Sequence, residues 1–159
     1  MHTHRPEVTA YIALGANLGD AQRTVSQAIQ DLAGLPNTRL LNQSNLYYTA
    51  PIDSSGPDYI NAVAAIATQL GPYELLEQLQ RLELAAGRER PYTNAPRTLD
   101  LDLLHYGSAQ VFSSVLTVPH PRMVQRAFVL LPLHDIAPHL VSAAALQAVA
   151  SQSVERHLP

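Results

Sequence analysis

Apolar and polar positions divide the first part of the chain into a strand, a helix and a second strand. Residues 8–14, VTAYIAL, are rich in β-branched and aromatic side chains and end at Gly15, which predicts a strand. Asp20 is suited to cap a following helix. Its apolar stripe, at the spacing of one helix face, would be Val25, Ala28, Ile29 and Leu32. Residues 38–48, TRLLNQSNLYY, predict a second strand.

The second part of the chain repeats this pattern before prolines interrupt it. Residues 59–70, YINAVAAIATQL, predict a third strand, although their alanines also allow a helix. Gly71 and Pro72 open a helix. Its apolar side would be Leu75, Leu76, Leu79, Leu82 and Ala86. The segment 97–107, RTLDLDLLHYG, predicts a fourth strand. Beyond it we expect proline-broken chain and a short helix over 142–150.

The predicted order is β-α-β-β-α-β with a tail. It is typical of the α+β class and matches the ferredoxin-like split βαβ plan, an antiparallel sheet with helices packed on one face. We expect residues 1–159 to form a single domain, with residues 1–7 as a frayed tail. Two polar segments, 49–58 and 87–96, interrupt the order as long loops. Such loops are usually functional lids or disordered segments.

Composition excludes several classes of function. Hydrophobic residues make up 47% and charged residues 14%, which is typical of a globular protein. A net charge of −3 gives no basic surface for nucleic acid, and the lack of cysteine excludes thiolate metal sites. No apolar run reaches the roughly 18 residues that span a membrane, and the N-terminus lacks a signal-peptide layout, so we expect a cytoplasmic protein. All ten basic residues are arginine, which excludes a Walker-type loop with its lysine.

Two aspartates lie inside the leucine-rich segment 97–104, RTLDLDLL. Side chains alternate between the faces of a strand at about 3.3 Å per residue, so Leu99, Leu101 and Leu103 would face the helices, and Asp100, Asp102 and Leu104 the other side. Carboxylates about 7 Å apart along the backbone can converge on one or two cations. Magnesium is the natural ion, since it prefers oxygen ligands. Two solvated aspartates on an exposed sheet face fit the same spacing.

Half of the basic residues are concentrated near this segment: Arg88, Arg90, Arg97, Arg122 and Arg126. Guanidinium groups suit phosphate oxygens, and Arg88 and Arg90 lie in a polar loop that could close over a phosphate. Simple ion pairs with nearby acids are the alternative. His120 lies between two prolines that fix its backbone, where a phosphate contact competes with a structural role.

Polar and aromatic side chains around residues 48–61 suggest a slot for a flat molecule. Asn61 and Thr49 offer an amide and a hydroxyl, whereas Tyr48, Tyr59 and Phe128 offer flat faces. A heterocycle with several donors and acceptors would fit them. Ordinary aromatics at a strand end fit the spacing equally well.

Several segments together resemble one family. They are YIALGANLGD, YYTAP, YINAVAAIAT, LQRLELAAGRER, PRTLDLDLLHYG and VPHPRMVQRAFVLLPLHDIAP, and they extend over about residues 9 to 140. The chain resembles 6-hydroxymethyl-7,8-dihydropterin pyrophosphokinase of folate biosynthesis. The resemblance implies an ATP-dependent diphosphotransferase that moves the terminal two phosphates of ATP to the pterin alcohol, with two Mg²⁺ ions and attack on the β-phosphorus. It also implies small-molecule substrates and no nucleic-acid or membrane partner, and we expect a monomer.

The resemblance assigns roles by position. Asp100 and Asp102 would hold both metals, and Arg88 and Arg97 would engage the transferring phosphates. The nucleotide would be lined by Gln80, Glu83, Leu103, Thr117, His120 and Arg126, with the loop residue Arg90. The pterin pocket would be formed by Thr49, Ile52, Tyr59, Asn61 and Phe128, with Phe128 stacking on the ring and Asn61 binding its edge.

The chain departs from some members of that family, which carry a tryptophan in the loop before PR. This chain has no tryptophan, and its loop ERPYTNAP is about one residue shorter. Ala50 and Pro121 replace the proline and tyrosine of some members. The alternatives are a ferredoxin-like module that binds a nucleotide without chemistry and a DxD-dependent glycosyl or nuclease enzyme. The second needs a longer chain or a basic surface.

Overall fold

The computed structural model describes residues 5–49, 58–87 and 99–156. Its β-strands are β1 Val8–Ala16, β2 Thr38–Gln43, β3 Tyr47–Thr49, β4 Tyr59–Thr68, β5 Asp100–Tyr106, β6 Val111–Phe112, β7 Thr117–Val118 and β8 Glu155–Arg156. Its α-helices are α1 Ala21–Ala33, α2 Pro72–Ala86, α3 Ala127–Ile136 and α4 Ala143–Ala148, with 3₁₀ turns at Met123–Gln125 and Pro138–Leu140. Among these ranges, no helix is long and apolar enough to cross a membrane.

The main sheet has the strand order β5-β1-β4-β3-β8. β2 also pairs with β4, along residues 64–68, whereas β3 pairs with residues 59–61. The strand pairings in the described ranges are antiparallel. β4 lies between β1 on one edge and β2 and β3 on the other. The predicted α+β, ferredoxin-like plan is therefore confirmed. The alanine-rich segment 59–68 is a strand, not a helix, and the Asp20 side chain accepts the Arg23 N–H as the expected cap of α1.

The second predicted strand is wrong as a single element, because it breaks at Ser44. The Ser44 N–H donates to the Val63 carbonyl at 2.9 Å, while the Ser44 Oγ accepts the Val63 N–H at 2.9 Å. A side chain thus takes a place that a backbone carbonyl would fill in a regular ladder. β3 restarts at Tyr47 and ends at Thr49, at the same end of the sheet as the start of β4.

Helices cover both faces of the sheet, which corrects the prediction of a single covered face. Residues Ile12 and Leu14 of β1 belong to a first core with α1 and α2, whereas Ala13 belongs to a second core with α3. Helix α3 was not predicted from the sequence, because Pro132 lies inside it. A helix-interior proline costs about 3 kcal/mol, whereas each large apolar side chain gains about 1.5–3 kcal/mol on burial. Burial of Val129, Leu130 and Leu133 outweighs the proline.

Leucine side chains of β5 are buried in both cores, which fixes the orientation of its two faces. Leu101 and Leu103 are buried in the first core and Leu104 in the second, next to a bulge opposite Tyr11 and Ile12. The predicted apolar side of α2 is confirmed for Leu75 and Leu79, which are buried, and for Leu76 and Leu82, which pack against the first core, whereas Ala86 is exposed. The start of β5 is thereby held on a buried leucine face.

Replacement of His105 by phenylalanine is expected to stabilise the fold, most strongly in acid. The His105 Nε2 is buried and has no hydrogen-bond partner among the described residues, and its ring contacts Tyr11 edge-on. Burial lowers the pKa of His105, so below about pH 6.5 the unfolded chain binds a proton that the folded protein resists. The free energy of unfolding should therefore fall as the pH falls through this range.

We expect the phenylalanine variant to gain about 1 kcal/mol at neutral pH and more near pH 5.5, measured by urea unfolding. The exposed His139 provides the control, His139→Asn. A gain that is the same at both pH values would contradict this cause.

Candidate active site

A cavity of about 500 Å³ opens at one end of the sheet, where β1 ends and β4 and β5 begin. α2 forms one wall and the start of α3 forms the other. Its lining residues are Ala13, Leu14, Gly15, Thr49, Tyr59, Asn61, Leu76, Leu79, Gln80, Glu83, Asp100, Leu101, Asp102, Arg126, Phe128 and Val129. A volume of this size is typical of small-molecule sites.

Asp100 and Asp102 are the first and third residues of β5, and both line this cavity. They pair with Gly15 and Ala13 of β1, respectively, so both lie at the same edge of the cavity. The Asp102 side chain is 48% exposed and can bind an ion from solution. No group of three or more His, Cys, Asp and Glu side chains in the described ranges forms a complete metal site. A cation at this pair would therefore take further ligands from substrate phosphates and water, as Mg²⁺ commonly does.

His120 lies beside the carboxylate pair. Its Nε2 is 3.9 Å from Asp102 Oδ1, and its Nδ1 accepts the Arg122 N–H at 3.2 Å. Burial lowers the pKa of His120; Asp102 opposes this shift, and Arg126 and Arg122 reinforce it. A neutral ring that accepts at Nδ1 carries its proton on Nε2, the nitrogen that faces Asp102.

Glu83 of α2 connects the helix to the strand that carries the aspartates. Its Oε2 accepts the N–H of Leu101, the residue between Asp100 and Asp102, at 2.9 Å. This carboxylate thus fixes the peptide between the two aspartates, in addition to lining the cavity. Sequence spacing gives no signal for the contact, because it joins residues 18 positions apart.

The far side of the cavity holds a polar pair of defined orientation. The Asn61 Nδ2 donates to the Thr49 Oγ1 at 2.9 Å, and Asn61 is 5% exposed. The amide oxygen of Asn61 then points toward Gly15, where a Cβ would lie 3.1 Å from it. Glycine at this position leaves room for the amide. The pair presents an acceptor on Asn61 and a hydroxyl proton on Thr49 to a bound molecule.

Arg126 and Phe128 form the wall contributed by α3. The Arg126 guanidinium lies 5.6 Å from the centroid of the Phe128 ring, within the range of a cation–π contact. The positive charge therefore lies over one face of the ring, and both side chains line the cavity.

The structure brings most of the predicted site residues together. The cavity is lined by Asp100, Asp102, Gln80, Glu83, Arg126, Thr49, Tyr59, Asn61 and Phe128, with His120 beside Asp102. Leu103 is buried in the first core and Thr117 lies in β7, and neither is among the lining residues. Arg88, Arg90, Arg97 and Ile52 lie outside the described residues. Sequence reasoning missed the apolar lining and Gly15, since a cavity wall resembles a core in sequence.

Comparisons with known proteins agree on one family. The family model described as 7,8-dihydro-6-hydroxymethylpterin-pyrophosphokinase matches residues 11–138. A protein named 2-amino-4-hydroxy-6-hydroxymethyldihydropteridine pyrophosphokinase from Haemophilus influenzae is 44% identical over 135 residues, which cover 84% of each chain. A protein of the same name from Pseudomonas aeruginosa is 44% identical over 131 residues, covering 82% of this chain and 81% of that protein.

Solved structures show the same fold at low sequence identity. A crystal structure of a Plasmodium falciparum HPPK-DHPS mutant matches with a TM-score of 0.67 and 14% identity, over 82% of this chain. The match covers 41% of that chain, so this protein corresponds to about two fifths of it.

Proposed function

Because this chain belongs to the 7,8-dihydro-6-hydroxymethylpterin-pyrophosphokinase family, we propose that it transfers the terminal two phosphates of ATP to 6-hydroxymethyl-7,8-dihydropterin. The pterin hydroxyl oxygen bonds to the β-phosphorus, and the bond from that phosphorus to the α,β-bridging oxygen breaks. AMP leaves with the bridging oxygen, and the hydroxyl proton is released. The observation that carries the proposal is that Asp100 and Asp102 share one cavity with the Asn61–Thr49 pair and Phe128.

The carboxylate pair fits two Mg²⁺ ions. Asp100 and Asp102 supply oxygen ligands from one edge of the cavity, and Asp102 is half exposed. Bound Mg²⁺ would neutralise the phosphates and lower the pKa of the attacking hydroxyl. The protein's own part is to hold both carboxylates on a rigid strand, whose leucines are buried in the first core.

The nucleotide is assigned to the part of the cavity between α2 and Arg126, beside the carboxylate pair. Gln80 and Glu83 line it from α2, and Arg126 brings a positive charge from the opposite wall. His120, with a proton on Nε2, can donate to a phosphate oxygen near Asp102. The resemblance adds Arg88, Arg90, Arg97, Leu103 and Thr117 to this set. These positions require a nucleotide complex to test.

The pterin is assigned to the part of the cavity between Phe128 and the Asn61–Thr49 pair. Its ring would stack on Phe128, and its amide edge would meet Asn61 and Thr49, whose mutual hydrogen bond fixes one acceptor and one donor. Tyr59 lines the same region, and Ile52 is added by the resemblance. We also propose that residues 1–159 act as a single domain and as a monomer.

The products of a defined reaction test this function. The protein is mixed with ATP, Mg²⁺ and 6-hydroxymethyl-7,8-dihydropterin, and the products are separated chromatographically. We expect AMP and pterin diphosphate in equal amounts, with no AMP when the pterin is omitted. ADP as the product would indicate transfer of a single phosphate. ATP binding without pterin-dependent AMP would indicate a non-catalytic binding module.

A further inference from the structure

In the C-terminal segment, the side chain of Gln152 forms hydrogen bonds with the start of α3, which is one wall of the cavity. This residue lies in the turn after α4 and outside residues 11–138, which match the family model. Its own N–H donates to the carbonyl of Val149 at 3.0 Å, and Val149 is 3% exposed in the second core. The backbone from which the Gln152 side chain extends is therefore anchored to the core.

The Gln152 carboxamide makes two hydrogen bonds to the start of α3. Its Oε1 accepts the Ala127 N–H at 2.9 Å, and its Nε2 donates to the Gln125 carbonyl at 2.8 Å. The first N–H groups of a helix lack partners within the helix, and the N-cap residue Arg126 supplies no side-chain bond. Gln152 provides the cap instead, from 25 residues away in the sequence.

These two hydrogen bonds are made to the peptide groups on either side of Arg126. The Gln125 carbonyl belongs to the peptide group before Arg126, and the Ala127 N–H belongs to the peptide group after it. Arg126 itself has an extended backbone, φ −128° and ψ 109°, at the joint between a 3₁₀ turn and α3. Rotation of either peptide group at this joint would swing the guanidinium, which lines the cavity and lies over Phe128.

We propose that Gln152 is a positioning residue for the nucleotide site, because it adds a hydrogen bond to each peptide group around Arg126 and so helps direct the guanidinium at the ATP phosphates. The same peptide groups are also held by the Arg126 N–H, which donates to the Met123 carbonyl, and by the Arg126 carbonyl, which accepts the Val129 and Leu130 N–H groups. This inference rests on the proposed function. Phe128 is held independently by helix α3, which begins at Ala127 and is packed in the second core. ATP should therefore respond to the loss of Gln152 more strongly than the pterin does.

Replacement of Gln152 by leucine removes both hydrogen bonds and keeps a side chain of similar size. We expect the KM for ATP to rise about fivefold or more, with kcat and the KM for the pterin changed by less than about twofold. In an Arg126→Ala background the same replacement should leave the KM for ATP nearly unchanged, since the side chain that it positions is gone. The two substitutions are thus expected to be strongly non-additive.

Two further variants keep the test decisive. Ser142→Ala removes the hydroxyl that caps α4 and lowers the stability of the same segment, but it leaves the carboxamide in place. Gln152→Glu keeps an acceptor for the Ala127 N–H. It replaces the leucine variant in the same assay if the leucine variant does not fold. A rise in KM equal to that of Ser142→Ala, additive effects with Arg126→Ala, or equal losses for ATP and pterin would each overturn the proposal. AMP formation by the wild-type protein in the same assay reports separately on the proposed function.

Discussion

Replacement of Asp102 by asparagine is expected to lower kcat about 10²–10⁴-fold and to leave the fold intact. The substitution keeps the size of the side chain but removes a negative charge that would hold a divalent cation against the triphosphate. The Asp102 side chain is 48% exposed and outside both cores, so no packing is lost. Its neighbour His120 also loses a carboxylate partner at 3.9 Å. The measurement is pterin-dependent AMP formation over a range of Mg²⁺ concentrations.

The matched control is Asp31→Asn, the same chemical change at an exposed aspartate of α1. Asp31 accepts a hydrogen bond from Gln27 and lies outside the lining of the active-site cavity. We expect wild-type kcat and Mg²⁺ dependence for this variant. Wild-type values for Asp102→Asn as well would show that the metal assignment is wrong.

Replacement of Glu83 by alanine is expected to lower kcat/KM about 10–100-fold. The Glu83 Oε2 accepts the Leu101 N–H at 2.9 Å, and its loss frees the peptide between the two aspartates and unpairs a partly buried donor. The side chain of glutamine can still accept this hydrogen bond. We therefore expect Glu83→Gln to retain most of the activity, whereas a role for the negative charge predicts that glutamine is as poor as alanine.

Glu77→Ala on the same helix is the control for Glu83. Glu77 forms an exposed ion pair with Arg81 at 3.1 Å, and such pairs contribute about 0–1 kcal/mol to stability. Activity and Mg²⁺ dependence should be unchanged in this variant. Comparable losses for Glu77→Ala and Glu83→Ala would point to a general weakening of α2 instead of a specific contact to β5.

Local signals in the sequence were enough to predict the elements that carry the carboxylates. The Asp20 cap and the apolar stripe of α1 are confirmed, and alternation along β5 correctly separates the buried leucines from Asp100 and Asp102. These features depend on neighbours a few residues away. The spacing of apolar residues along the sequence reflects such neighbours directly, with a period of about 3.6 in helices and 2 in strands.

Features that depend on distant contacts could not be predicted in this way. The break between β2 and β3 follows from Ser44 bonding to Val63, and α3 persists through Pro132 because a second core covers the sheet. The contacts of Glu83 with Leu101 and of Gln152 with Ala127 also join separate elements. For the site, spacing left a solvated acid pair possible; the resemblance to a family, not the spacing, selected ATP and a pterin.

The most direct test of the proposed site is a crystal structure with Mn²⁺, the pterin and an ATP analogue that has a methylene group between its α- and β-phosphorus atoms. This analogue binds but cannot release AMP, because the bond that the reaction breaks is replaced. We predict anomalous density within about 2.2 Å of carboxylate oxygens of both Asp100 and Asp102, with the pterin stacked on Phe128. Anomalous density away from both carboxylates, or a nucleotide bound outside this cavity, would contradict the proposed site.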